Sequence, residues 1–368
     1  MQKSLYIGIM AGTSLDGVDV ALVDFSVATP VLIAHLFKPY SDSLFRASKS
    51  LCEQQQLTFD QLGSLDGQLA DFFSTIVSSL LKQSNTDPQQ IIAIGSHGQT
   101  IQHNPNNQLP YTLQIGDPNR LAEKTGITVV ADFRRRDVAA GGQGAPLVPA
   151  FHQAVFQQAD ETRAIVNIGG IANITILPAN TNEPIIGFDC GPGNTLMNNW
   201  CQLHYNKPYD QGGQLAQSGT VNLELLQGML KDPYFHRSPP KSTGPEYFST
   251  QWLNSLLQKH PTSEIDTLST LCELTAISIN LGLLENISKL ETVMICGGGC
   301  HNQWLMSRLQ NYIECSVTTT SHHGVDPDWV EAMAFAWLAK QTLEGKPGNI
   351  PSVTGANREV ILGAIYPA

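Results

Sequence analysis

Positive charge is scarce in this chain. Against 32 Asp and Glu stand 21 Lys and Arg, a formal net charge of −11, and the basic residues adjoin one another only at Arg134-Arg135-Arg136. A basic face able to hold a nucleic-acid backbone or an anionic membrane is therefore excluded. Charge of either sign is also low, at 14%, where ~25% is usual for soluble domains. No stretch reaches 18 uninterrupted apolar residues, so no membrane-spanning helix is expected. Nor is a secretory leader, because the apolar stretch after Lys3 meets Gly12, Asp16 and Asp19 almost at once. The seven cysteines (Cys52, Cys190, Cys201, Cys272, Cys296, Cys300, Cys315) are odd in number and scattered through apolar segments, unlike a disulfide framework. Cys296 and Cys300 have no second Cys or His pair at metal spacing, and there is no H-E-x-x-H, so no zinc site is expected. G-x-x-x-x-G-K-[ST] is missing, and so is any strand-borne G-x-G-x-x-G, which removes the P-loop and dinucleotide folds. What remains is a protein of the reducing cytoplasm.

The chain is instead rich in glycine, 31 in 368 residues, with 42% hydrophobic content, a large core punctuated by tight turns. Its length argues for two domains. Strands are expected over 5–10 and 18–25, joined by Ala11-Gly12-Thr13-Ser14-Leu15-Asp16-Gly17. Apolar residues at Leu62, Leu65, Leu69, Phe72, Phe73, Ile76, Val77, Leu80 and Leu81 predict a helix with one buried face. A short strand over 91–95 follows, with Ser96-His97-Gly98-Gln99-Thr100 just beyond its carboxyl end, where open α/β sheets place ligands. After a helix over 117–124 and a strand over 127–131, the opening pattern returns: strands at Ala164-Ile165-Val166 and 174–177 flank Asn167-Ile168-Gly169-Gly170. An internal duplication is the natural reading. A helix-rich stretch follows to about 260, interrupted by a loop at Pro239-Pro240-Lys241-Ser242-Thr243-Gly244-Pro245, then a helix over 268–284 and a strand over 293–296 that runs into Gly297-Gly298-Gly299. Helices are expected over 304–313 and from Pro327, capped by Asp326, to Gly345.

Three glycine-rich turns after strands, two of them in repeated hairpins, favour a phosphate cradle built from backbone amides. This plan resembles the superfamily of actin, the heat-shock ATPases and the sugar kinases. Within it, Met10-Ala11-Gly12-Thr13-Ser14-Leu15-Asp16-Gly17-Val18-Asp19, Ser96-His97-Gly98-Gln99-Thr100, Asp132-Phe133-Arg134-Arg135-Arg136-Asp137, Gly141-Gly142-Gln143-Gly144-Ala145-Pro146 and Gly187-Phe188-Asp189-Cys190-Gly191-Pro192-Gly193-Asn194 resemble the motifs of the anhydro-N-acetylmuramic acid kinase family. So do Lys241-Ser242-Thr243-Gly244, Cys296-Gly297-Gly298-Gly299, Glu331-Ala332-Met333-Ala334-Phe335-Ala336-Trp337 and the segment 347–355. Ala11, where serine is frequent, and Cys300, after the triple glycine, are mild departures.

The resemblance implies an α/β protein with two ribonuclease H-like lobes of the actin-like ATPase / sugar kinase fold and an interlobe ATP and sugar cleft. Residues 1–132, completed by 358–368, would form the N-terminal lobe; 133–357 would form the second, with a helical insertion at about 195–260. The implied reaction hydrolyses the 1,6-anhydro bond of anhydro-N-acetylmuramic acid and places the γ-phosphoryl group of ATP on O6, in peptidoglycan recycling. Gly12, Thr13, Ser14, Leu15, Asp16, Gly17, Val18 and Asp19 would wrap the phosphates, with Asn167, Gly169 and Gly170 facing them, Gly297, Gly298 and Gly299 against the adenosine, and Asp16 on Mg²⁺ through water. Asp189 is the expected general base, although an Asx turn would use the same residue, and Glu331 a second carboxylate, although it also suits a helix start. Arg135 is the expected clamp for the lactyl carboxylate, with extended backbone turning it away from its two neighbours. Thr100 and His97 are expected sugar contacts. A homodimer with a small sugar as its only other partner completes the picture. The alternatives are a plain hexosamine kinase, in which Asp189 takes the proton of a free hydroxyl, and a nucleotide-dependent switch module of the same fold.

Overall fold

The computed structural model describes residues 3–12, 15–53, 56–287 and 289–368. Twelve strands lie among them: β1 (Leu5–Ala11), β2 (Gly17–Asp24), β3 (Val31–Pro39), β4 (Ile91–Asn104), β5 (Tyr111–Ile115), β6 (Val129–Ala131), β7 (Arg163–Ile168), β8 (Ile171–Leu177), β9 (Ile186–Pro192), β10 (Thr292–Cys296), β11 (Ser316–Thr319) and β12 (Ala364–Tyr366). The chain divides into two compact units, Met1–Val155 with Trp329–Ala368, and Phe156–Asp328.

In the first unit the sheet order is β12-β6-β4-β1-β2-β3, with β5 paired to β4. β1, β2 and β3 run antiparallel, while β4 is parallel to β1 and β6 parallel to β4. In the second, the order is β11-β10-β7-β8-β9, again with an antiparallel trio, β7, β8 and β9, and two parallel strands added beside the first of them. One topology thus occurs twice, and the expected duplication and two-lobed α/β class are present in the strand order itself. The central strands are buried on both faces, as parallel sheets covered by helices require.

The expected domain boundaries move. Residues 133–155 and 329–357 belong to the first unit. The reason is the helix Val330–Leu343, which seats on β1 and β4 where both present glycine: a Cβ on Gly8 would lie 2.7 Å from the Ala336 nitrogen, and one on Gly95 would overlap the Phe335 carbonyl. This helix begins at Val330 and not at Pro327; Asp326 caps only the turn before it, accepting from the Asp328 amide at 3.0 Å.

The helix expected over 62–81 runs from Phe59 to Gln83, because Thr58 and Gln61 form a reciprocal capping box that starts it a turn earlier. Two further departures bear on the site. β4 continues to Asn104, so Ser96-His97-Gly98-Gln99-Thr100 lies inside a strand, and β5 supplies the partner that extends it. Arg134, Arg135 and Arg136 lie in the helix Phe133–Ala139, so they fan out at helical spacing and do not alternate.

The second unit is organised around the helix Glu264–Leu284. It is long and apolar enough to cross a membrane, yet 78% of its most apolar window is buried. Its Glu273 accepts two bonds from Arg308, at 2.7 and 2.8 Å, and one from the Tyr312 hydroxyl, which ties it to the helix Gln303–Tyr312.

Candidate functional site

In the first unit, the turn between β1 and β2 is braced from several sides. Thr13 and Ser14 lie outside the described residues. Beside them, the Gly12 carbonyl accepts from Gln99 Nε2 at 3.1 Å and from the Leu15 amide at 3.4 Å. The Asp16 carbonyl accepts from the Tyr40 amide at 3.3 Å, and the Tyr40 hydroxyl donates to Gln99 Oε1 at 2.8 Å. The Asp16 side chain is exposed, as a water-mediated cation contact needs, and that of Asp19 is half-buried. Leu15, Gly17 and Val18 are different. Leu15 and Val18 bury their side chains in the core, and a Cβ on Gly17 would run into Lys38 and Phe37 of β3. These three shape the turn and pack it, so they can offer a ligand backbone only. Leu15 takes a left-handed φ of 58°, a cost a branched side chain bears only when the surroundings hold it there.

A bulge in β4 aims the next groups. Ser96 opposes Ile9 and Gln99 opposes Ala11, so His97 and Gly98 together face Met10. Gly98 has a φ of 74°, and a Cβ there would come 2.9 Å from the Ile115 carbonyl. His97 is 5% exposed and both its ring nitrogens are occupied: Arg134 Nε donates to Nε2 at 2.9 Å, so the proton sits on Nδ1, which donates to the Ala11 carbonyl at 3.0 Å. Both ring nitrogens are thus engaged within the protein, the ring bracing β1 against Arg134 as a strut, and the ring also lines the cavity that Arg135 borders. Burial and the neighbouring guanidinium hold its pKa well below the ordinary histidine value. Arg134 also donates to the Gly144 carbonyl at 2.7 Å. Burial lowers its pKa to about 10, against the pull of Glu331 and Asp137, and burial likewise raises the Glu331 carboxyl, opposed by Arg134.

Arg135 is half-exposed and pairs with Asp132 Oδ1 at 3.2 Å. It lines a cavity of about 240 Å³ together with Ser96, Gln114 and Asp132. Ser96 Oγ and Gln114 Oε1 are buried without a hydrogen-bond partner. Thr100 Oγ1 accepts from Gln114 Nε2 at 3.2 Å, one step from that cavity. The segments 141–146 and 347–355, both counted among the motifs, converge on the fully buried Asp137, which accepts from the Gly144 amide, Asn349 Nδ2 and Thr354 Oγ1 at 2.7, 2.7 and 2.8 Å. Their part is structural.

In the second unit, Asp189 lies in the middle of the edge strand β9. Cys190 is the extra residue of a bulge, since Gly191 opposes Ala172 and Asp189 opposes Asn173. The free edge of β9 is covered by the loop after Pro240: the Asp189 amide donates to the Lys241 carbonyl at 3.1 Å, and the Thr243 amide donates to Asp189 Oδ2 at 3.0 Å. The Tyr234 hydroxyl donates to the Asp189 carbonyl at 2.7 Å. Burial raises the Asp189 carboxyl from 3.8 to about 6, opposed only by the Thr243 amide. Thr243 Oγ1 is itself buried without a partner.

The two glycine turns of this unit keep their backbone accessible. A Cβ on Gly169 would meet only the Ile171 carbonyl, at 3.6 Å, and one on Gly298 nothing within 4 Å. The Gly169 and Gly170 carbonyls accept from the amides of Asn194, Gly193 and Thr195, which pins the turn to the start of the helix Thr195–Tyr205. Gly297 has a φ of 76° and rests on the Asn167 side chain, whereas Gly299 is glycine because Ile168 fills the space beside it. Open backbone of this kind suits phosphate and nucleoside. Close by, the fold brings ligand atoms of Cys300, His301 and Asp328 within 4.8 Å of one another, a set no sequence spacing announced. Burial pushes the Cys300 thiol up to about 12, so it carries its proton at neutral pH.

Sequence reasoning missed Gln99, Arg134, Tyr40 and Thr243. The first two and Thr243 stood inside quoted motifs; Tyr40 carried no signal.

A sequence-family profile described as anhydro-N-acetylmuramic acid kinase matches residues 4–368. The anhydro-N-acetylmuramic acid kinase of Shewanella amazonensis is 50% identical, covering 100% of both chains. That of Pasteurella multocida is 50% identical over 98% of this chain and 96% of its own, and that of Xylella fastidiosa 48% identical over 99% and 96%. Matched from end to end at half identity, this chain belongs to the anhydro-N-acetylmuramic acid kinase family and is a kinase.

Proposed function

We propose that this kinase takes 1,6-anhydro-N-acetylmuramic acid, water and ATP to N-acetylmuramic acid 6-phosphate and ADP. Water adds to C1 and yields a proton to Asp189, the C1–O6 bond breaks, and O6 takes the γ-phosphoryl group. The observation that carries the reading is the carboxyl of Asp189, held at about 6 by burial with one oxygen fixed by the Thr243 amide. A carboxylate so tuned is deprotonated at neutral pH and basic enough to accept a proton as water attacks. An inverting glycosidase also needs an acid to protonate the departing oxygen. Here phosphorus receives that oxygen, so one carboxylate base suffices.

For phosphate binding we assign Gly12, Thr13, Ser14 and Asp16 in the first unit and Asn167, Gly169 and Gly170 in the second, and for the adenosine Gly297 and Gly298. Mg²⁺, held by Asp16 through water, would neutralise phosphate charge when bound. Arg135 would clamp the lactyl carboxylate, with Thr100 and Glu331 toward the sugar. We assign the enzyme to the recycling of peptidoglycan in the cytoplasm, as a homodimer. The test is turnover in ¹⁸O-water, read before anomeric exchange. Label at C1 of the 6-phosphate is expected. Phosphorylated product without that label, or phosphorylation of a free hexosamine alone, would overturn coupled ring opening in favour of a plain hexosamine kinase.

A further inference from the structure

The strand β4 reaches under the β1–β2 turn with two buried side chains, His97 and Gln99, exposed 5% and 0%. Each ends on a carbonyl of the turn's first arm: His97 Nδ1 on Ala11 at 3.0 Å, Gln99 Nε2 on Gly12 at 3.1 Å. Neither is a lone contact. His97 Nε2 is held by Arg134 Nε, and its ring packs on Phe335 at 4.8 Å between centroids. Gln99 Oε1 is held by the Tyr40 hydroxyl, whose own backbone amide holds the far arm of the turn at Asp16. The two arms of the turn, at Ala11 and Gly12 and at Asp16, are therefore held by a continuous chain of bonds that starts at the helix Phe133–Ala139 and ends at the residue after β3.

We propose that His97 and Gln99 are positioning residues for the nucleotide: they fix the carbonyls of Ala11 and Gly12 where the chain leaves β1 for the phosphate turn, and His97 couples this arm to Arg134. The inference rests on the reading of the turn as the phosphate site. It differs from a sugar-contact role for His97 in the substrate whose binding it governs. Backbone groups that receive a ligand gain affinity when their geometry needs no reordering, and displacements of about 1 Å can cost ~10²-fold.

The imidazole can be split chemically. In His97→Asn the amide nitrogen stands where Nδ1 stands and keeps the bond to Ala11, but the acceptor for Arg134 is lost. In His97→Gln the amide reaches the Nε2 position, keeping an acceptor for Arg134 and losing the Ala11 bond. Equilibrium binding of ATP in the absence of sugar, with KM for each substrate alongside, decides between them. His97→Asn is expected to bind ATP within about threefold of the wild type, and His97→Gln about tenfold or more weakly, with KM for the anhydro sugar nearly unchanged in both. Gln99→Glu, which puts an acceptor where the Gly12 carbonyl needs a donor, is expected to follow His97→Gln. Circular dichroism identifies any variant that has lost its fold, and the Asn and Gln pair, both polar and similar in size, carries the comparison. Equal ATP affinity in His97→Asn and His97→Gln, or an effect confined to the sugar, overturns the strut. Failure of the wild-type protein to bind ATP removes instead the reading of the turn on which it rests.

Discussion

At the scale of single residues, the chemistry concentrates on one carboxylate in an unusual setting. Asp189 lies in an edge strand whose free edge is closed by 241–243, and burial raises its pKa from 3.8 to about 6. A base must be deprotonated to act, so activity is expected to fall as pH drops through about 6, with a single limb there in kcat/KM, which reports the free enzyme. Asp189→Asn should lose ~10²–10⁴-fold in kcat while ATP and sugar still bind, because general-base catalysis is usually worth that much and the amide is nearly isosteric. The same shift has a stability consequence of opposite direction. A folded-state pKa above the unfolded value stabilises the fold fully below about 4, and the contribution is lost as pH rises through about 6, at most about 3 kcal/mol. Asp189→Asn should therefore melt higher than the wild type at pH 8 and close to it near pH 4. A melting difference independent of pH would show that the carboxyl titrates normally.

Elements carry a different kind of information. The helix Val330–Leu343 is almost uniformly apolar, with buried residues at nearly every position from Ala332 to Ala339, so its periodicity says little about which face it presents. The glycines of other strands say it instead. Gly8 and Gly95 leave room for this helix's backbone on β1 and β4, and Gly95→Ala would push a methyl into the Phe335 carbonyl. Overpacking at such a site typically costs 1–3 kcal/mol or more. We expect Gly95→Ala to lower the urea midpoint by at least about 1 kcal/mol equivalent, whereas Gly63→Ala, where a Cβ meets nothing within 4 Å, should leave stability unchanged or raise it. A tolerant Gly95 would mean that the helix does not lie flat on the sheet.

For the molecule as a whole, one topology used twice is divided unequally along the chain. The second unit is one continuous segment, Phe156–Asp328, and its apolar cluster, from Ala164 to Ile313, lies wholly inside it. The first unit is discontinuous and needs Trp329–Ala368 to supply both β12 and the helix over β1 and β4. A fragment of residues 156–328 is therefore expected to fold alone with a cooperative thermal transition. Residues 1–155 alone should not, and adding 329–368 in trans should restore a cooperative melt. Cooperative folding of 1–155 by itself would contradict the place assigned to the C-terminal helix.

Local chemistry made much of this protein legible before any fold was known. β-Branched runs broken by glycine turns determine β1 and β2 to within a residue and place β7 and β8, whose ends run up to three residues further, and the apolar spacing of Phe59–Gln83 determines that helix, because each depends on neighbours a few residues apart. The same local signals exposed the duplication and marked Asp189 among its glycines. Only the tertiary structure decided what depends on distant partners. β4 is 14 residues long because β5 pairs with its second half; the arginine run is helical, and Arg134, not Arg135, turns inward to His97. Thr243 reaches Asp189 across 54 positions of sequence. The bonds that hold His97 were hidden for the same reason. A ring's chemistry is set by what holds its two nitrogens, and here one is taken by a carbonyl 86 residues away and the other by a guanidinium 37 residues away, partners that no spacing in the sequence announces.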